Sequence, residues 1–335
     1  ILMIYGGIGV WQRDAWQDGY ADLYAASESG DETSVITGGT DLLNDFMMQS
    51  YMNDHPEDKG DVLYILAESY YRQEQYETAS QYYHDALEAV PDSSLYLRDY
   101  MAALVRSGQS LDAASLEQQY PEAVLDPAET GFIEAEASFA SGDLKGALEK
   151  TDEAIDLSTD GELTAAICDL KADICIELDR YGEAFGALST AADISGDRNL
   201  MRKAGQTAFN VGNEAPSDIE KRTYYEQALN VYERLCGEKN PSYEDQLNRA
   251  LVLRALGRYG TSIDRLREMQ EIWPDDYKIS MWLCYNYLDE AASQGEKETP
   301  SEAGYYYNTA RHAYDASAQT DEDMEELISI MEEWE

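Results

Sequence analysis

The sequence predicts an all-α fold, a solenoid of about eight helical hairpins closed by a C-terminal capping helix, with no sheet. Three observations carry that expectation. Alanine recurs at one spacing, twelve residues then seven, at Ala67, Ala79 and Ala86, again at Ala135, Ala147 and Ala154, and again at Ala172, Ala184 and Ala191. The first two triplets begin 68 residues apart, twice 34, and a period near 34 made of two helices marks a stacked array. Pro91 and Pro274 stand where a second helix should stop, since proline has no amide proton to give and its ring clashes with the preceding turn.

Taken in order, Ile1 to Trp11 carries no charge. Eleven residues cannot cross a bilayer, which takes about 20, but residues 1–12 fit the end of a transmembrane helix. Gly6, Gly7 and Gly9 are tolerated in such helices, and Trp11 and Trp16 suit an interfacial belt. The alternative is an apolar first helix or strand packed on the repeats. No Lys or Arg stands between Arg13 and Lys59, so by the positive-inside rule this flank is not cytoplasmic and an anchored domain would face outward. Within 13–59, Trp16 to Ser27 and Thr40 to Met52 read as one degenerate hairpin interrupted by Gly30, Gly38 and Gly39.

The regular array is expected over 60–319. Its clearest unit, Gly60 to Ser93, places Leu63, Leu66, Ala67, Tyr70, Tyr76, Ala79, Tyr83, Ala86 and Pro91 at the sites of a known consensus. It resembles the tetratricopeptide repeat (TPR). Small residues there sit where the two helices approach, and large ones fill the space between hairpins. Cys168, Ala172, Cys175, Tyr181, Ala184, Leu188 and Ala191 repeat the pattern, as do Ala250, Leu253, Gly257, Tyr259, Leu266 and Pro274. A weaker unit holds Leu97, Leu104, Gly108 and Ala113. Two looser ones pair Gly205, Ala208 and Gly212 with Tyr225, Ala228, Tyr232 and Leu235, and Leu283, Cys284 and Tyr287 with Ala303, Tyr307 and Ala310. Exposed loops are expected at the insertions around Asn213 to Asp218 and Ser293 to Pro300. Residues 320–335 read as an acidic cap with Met324, Leu327, Ile328 and Met331 at helical spacing.

The resemblance implies a right-handed solenoid whose concave groove is lined by the first helix of each hairpin. Residues one place after the first large consensus site, and four further on, share a helical face and should meet that groove. These are Tyr64 and Glu68, Arg98 and Ala102, Phe132 and Glu136, and Asp169 and Asp173, with Tyr71, Phe139 and Ile176 beside them. Family members that clamp a peptide's terminal carboxylate carry Lys, Arg and Asn at the matching positions. Acids stand here instead, which points to basic segments. The groove-binding candidates are therefore Tyr64, Glu68, Tyr71, Phe132, Glu136, Phe139, Asp169 and Asp173.

Charge agrees with that choice of partner. The chain has 335 residues, 67 Asp plus Glu against 24 Lys plus Arg, and a net charge of −43, which repels nucleic-acid phosphates and anionic lipids. A high-salt habitat is another source of such acidity. The stretch Arg198 to Arg267 departs from the trend with 12 basic and 9 acidic residues, and is expected to pair with acids of the same array. Of Tyr305, Tyr306 and Tyr307, at least one must face outward from a single helix. Four cysteines are too few for a disulfide scaffold, and Cys168 and Cys175, seven apart on one helix, lie about 10 Å apart, too far to bridge. The sequence holds no phosphate-loop, nucleophile-elbow, zinc-protease or kinase signature, and His55, His84 and His312 fall in unrelated units.

The expected function is that of a non-catalytic protein- or peptide-binding scaffold without cofactor or metal, membrane-tethered and extracytoplasmic, with a cytoplasmic location as the alternative. The alternative role is the sensor ectodomain of a larger membrane receptor, such as a Ser/Thr protein kinase located upstream of Ile1.

Overall fold

The computed structural model describes residues 2–334 apart from 110, 238, 297, 318 and 319. The side chains of residues 1–12, on which the expected membrane helix falls, lie outside the described residues, as do those of 14, 333 and 334. The described residues form 18 α-helices and no strand. Among them, no helix is long and apolar enough to cross a membrane.

The chain divides into two compact units. The first, Ile1–Leu178, holds α1 (Leu2–Ser29), α2 (Glu32–Asn44), α3 (Phe46–Asp54), α4 (Pro56–Arg72), α5 (Tyr76–Ala89), α6 (Ser94–Arg106), α7 (Ala113–Gln119), α8 (Pro127–Ala140), α9 (Leu144–Leu157) and α10 (Gly161–Glu177). The second, Asp179–Glu335, holds α11 (Tyr181–Ser195), α12 (Arg198–Glu214), α13 (Asp218–Gly237), α14 (Tyr243–Ala255), α15 (Tyr259–Ile272), α16 (Tyr277–Gln294), α17 (Ser301–Ser317) and α18 (Glu322–Trp334). Within each unit, contacts run between chain neighbours, as in α4 on α5, α8 on α9, α12 on α13 and α16 on α17.

All nine alanines of the three triplets are at most 1% exposed. Ala67 and Ala79 meet against Tyr83 and Ala103, so α4 and α5 close on methyl groups while the tyrosine ring fills the flank. The hairpin turns share one device. The residue two past the end of the first helix is left-handed, at Gly108 (φ 73°), Gly142 (φ 83°) and Gly257 (φ 70°), and at Glu74 (φ 60°), where a side chain is carried into a region that favours glycine. Many of the acids cap helices: Asp31, Asp126, Asp143, Asp160 and Asp276 each accept a backbone N–H of the turn they precede. A carboxylate there also meets the positive end of the helix dipole.

Two sequence expectations need correction. Gly38 and Gly39 are not loop residues but lie inside α2. Gly39 is buried because α4 crosses it, and a Cβ on it would fall 2.8 Å from the Cγ and Cδ2 of Leu66, itself wholly buried. The N-terminal segment is accordingly three helices rather than one hairpin, joined to α4 by a core of Trp16, Leu23, Val35, Met48, Met52, Val62 and Leu66. The insertion around Asn213 to Asp218 is also not a long loop. α12 runs on to Glu214 and α13 starts at Asp218, so the extra residues lengthen the helices. Ser293 to Pro300 does contain a connector, between Gln294 and Ser301.

The last helix is held by packing and by hydrogen bonds. Met324, Leu327 and Met331 are buried in the core built on α16, where Tyr277 donates to the Asp321 carboxylate (2.9 Å) and Tyr285 to the Asp323 carbonyl (2.8 Å). Of the tyrosine run, Tyr306 is buried and Tyr305 is 65% exposed. Cys168, Cys175 and Cys284 are buried thiols and none is in a disulfide.

The basic stretch pairs inside its own unit. Arg254 meets Asp289 (2.6 Å), Arg234 meets Asp193 (2.8 Å), and both Arg198 (3.2 Å) and Arg202 (2.7 Å) reach Asp245, which is wholly buried. Burial alone would lift the Asp245 carboxyl. The hydrogen bonds from Arg202 and Ser242 outweigh it and hold the group below its ordinary value of 3.8. A carboxyl lowered on folding stabilises above its unfolded value, and that stability is lost as pH falls through the lower folded one. Asp245→Asn should therefore destabilise the second unit by about 1–3 kcal/mol at neutral pH in a urea melt, and the gap from the unmodified chain should close below pH 3.8.

Candidate concave cleft

Five of the eight groove candidates meet in one place. Phe132, Glu136 and Phe139 of α8 face Asp169 and Asp173 of α10 across an open cleft of about 510 Å³, completed by Val105, Arg106, Ala140, Ala166 and Leu170. The α8 residues stand at i, i+4 and i+7 and the α10 pair at i and i+4, so each helix presents a single face. The phenyl rings are partly buried and hold the apolar wall. The carboxylates outnumber the one guanidinium by three to one.

Arg106 closes the cleft at the end of α6. Its Nη2 donates to Glu136 Oε1 at 3.1 Å, with 54% of its own side chain exposed against 19% for Glu136. Burial lifts the Glu136 carboxyl above its ordinary value, and the Arg106 charge pulls it partly back. Arg106 also meets the Tyr71 hydroxyl, which burial raises and the guanidinium lowers. With its head half in water, the arginine contributes less than about 1 kcal/mol through the pair. It therefore orients Glu136 more than it stabilises the fold.

The remaining candidates, Tyr64, Glu68 and Tyr71 on α4, are engaged with neighbouring helices. Tyr64 donates to Asp99 Oδ2 (2.8 Å), which Arg98 also grips. Glu68 accepts the hydroxyl of Tyr83, a ring that is 1% exposed. Tyr71 packs edge-on against Tyr76, with ring centroids 5.0 Å apart. These groups lock α4 to α5 and α6, and only Tyr71 is linked to the cleft, through Arg106. Burial first, then the neighbouring carboxylates, raise the Tyr64 and Tyr83 hydroxyls, so both remain donors at any physiological pH.

Arg106 was reachable from sequence. Continuing the register of Arg98 and Ala102 by four residues lands on it. Among the described residues, no group of three or more His, Cys, Asp or Glu side chains is placed to hold a metal ion.

Residues 62–126 match the family model of YpiA-like, C-terminal tetratricopeptide repeats, and the buried alanine triplets carry the same pattern beyond that segment. That matched segment is tetratricopeptide repeat. A solved tetratricopeptide repeat protein from Parabacteroides merdae aligns over 94% of this chain and 98% of its own, at 13% identity and a TM-score of 0.38, too distant to add to the argument. No curated protein matches the sequence. The first helices α6, α8 and α10 supply the cleft, and Tyr71 of α4 reaches it through Arg106.

If Arg106 is what restrains Glu136, removing its charge should let burial act alone. Arg106→Met should move the Glu136 carboxyl titration to higher pH, read by carboxyl-carbon NMR, with little change in melting temperature.

Proposed function

We propose that this chain is a non-catalytic binding scaffold and that the cleft between α6, α8 and α10 holds a basic protein or peptide segment. The observation that carries this is the convergence of Phe132 and Phe139 with Glu136, Asp169 and Asp173. Aromatic walls give contact area at little entropic cost, and carboxylates select cationic side chains and speed encounter with them. The array expected over 60–319 then supplies the binding surface, with 13–59 and 320–335 covering its ends. A tether through residues 1–12 rests on the uncharged run from Ile1 to Trp11. A receptor ectodomain would use the same cleft and differ only in what is joined to it.

The reading is tested with a labelled peptide of alternating Arg and Phe, followed by fluorescence anisotropy. Each ion pair in an open cleft contributes about 0.2–1 kcal/mol, so Asp169→Asn with Asp173→Asn should weaken binding by up to about thirtyfold and flatten its salt dependence. Phe132→Ala with Phe139→Ala should weaken it at every salt concentration. Unchanged affinity and salt slope in the first pair would show that the acids only solvate the surface.

A further inference from the structure

A second recess lies on the opposite side of α8. Thr130, Gly131 and Glu134 line it, whereas Phe132, Glu136 and Phe139 line the cleft, and at about 100° per residue these two sets point away from each other. The recess measures about 510 Å³, within the range of roughly 300–1,000 Å³ that holds ligands or anchoring side chains.

Its origin is a break in the repeat. α7 has 7 residues where α5 and α9 each have 14, so this layer of second helices is short by about 10 Å of helix. From Tyr120 the chain runs without helix to Asp126, where α8 is capped. The connector is held firmly. Tyr120 is buried and donates to Glu88 on α5 at 2.8 Å, and Ala123 and Leu125 are buried beneath it. On the other side Gly131 lets α9 come close, since a Cβ there would lie 3.2 Å from the Ala154 Cβ. The result is a preformed apolar floor.

Two aliphatic side chains stand out of that floor. Val124 is 76% exposed and Leu157 56%, although both border a recess deep enough to take them. The rim carries Glu117, Glu134 and Glu153. Glu117 accepts the Thr130 hydroxyl (3.3 Å), and Glu134 is paired with Lys150.

We propose that this recess docks a helix from a partner protein, one whose apolar stripe is flanked by lysine or arginine. Exposed aliphatic groups bordering a preformed hollow mark an interaction surface better than either feature alone. A helix can present side chains at i, i+3 and i+4 into such a hollow, and it would supply the helical layer that α7 leaves short. The acidic rim sets the sign of the flanking charges.

The test uses the full chain and a labelled amphipathic peptide of about four turns, with Leu at i, i+3, i+4 and i+7 and Lys on its flanks, read by fluorescence anisotropy. Val124→Asp with Leu157→Asp should weaken binding at least tenfold even though it adds two negative charges. Charge attraction alone would move the affinity the other way. Glu117→Gln with Glu153→Gln should weaken binding a few-fold and flatten its salt dependence. Phe132→Ala with Phe139→Ala should leave it unchanged, which separates this recess from the concave cleft. Equal or tighter binding by the Asp variant, or equal binding of a peptide with the same residues in scrambled order, would overturn the proposal. So would a dimer in sedimentation that the Asp variant abolishes, since the face would then belong to a second copy.

Discussion

Nine alanine methyl groups set how closely the helices of this chain approach. Each of the nine is shut away from water, and Ala67 and Ala79 meet where α4 packs on α5. A larger residue at any of them would push a helix axis outward, and because each hairpin leans only on its chain neighbours the strain would fall first on that hairpin. The tyrosines fill the spaces the alanines leave. Tyr83 does so beside Ala67 and Ala79, with its hydroxyl spent on Glu68 rather than left unpaired. Gly39 under Leu66 applies the same rule in the N-terminal segment, where even a methyl group is too large.

Once small residues fix the spacing, the surface is free to carry charge. Part of the acidity is structural: aspartates cap helices, and the buried Asp245 carboxylate gathers the half-buried Arg198 and Arg202. The rest is spread over faces that the hairpins expose. The two recesses in the first unit take opposite sides of α8 and arise differently. The concave cleft follows from the regular register of first helices, while the second follows from the failure of α7 to reach full length. Both combine an apolar wall with carboxylates, which is the ground for proposing cationic partners at each, yet they share no residue and answer to different substitutions.

What was legible in the sequence follows from this division. The alanine register located the hairpins, because only a repeated crossing demands a small residue at a repeated place. It also brought Phe132, Glu136, Phe139, Asp169 and Asp173 together, since one helical face is a matter of spacing alone. Gly38 and Gly39 misled because a glycine pair reads as a loop, and the reason for Gly39 lies 27 residues away in Leu66. Asn213 to Asp218 misled because turn-forming residues there extend helices that neighbours hold in place. Tyr64 and Glu68 share the face of the cleft residues, but Asp99 and Tyr83 claim them first, a competition that no spacing reveals. The recess beside Val124 was invisible for the same reason, since it depends on where α9 passes Gly131.

Each alanine crossing should hold its own hairpin. Native-state hydrogen exchange on the full chain with Ala147→Leu tests it most directly. Overpacking a wholly buried site costs about 1–3 kcal/mol, so amides of α8 and α9 should lose protection first while those of α12 to α17 keep theirs. Protection lost evenly across all helices, or not lost in α8 and α9, would contradict it.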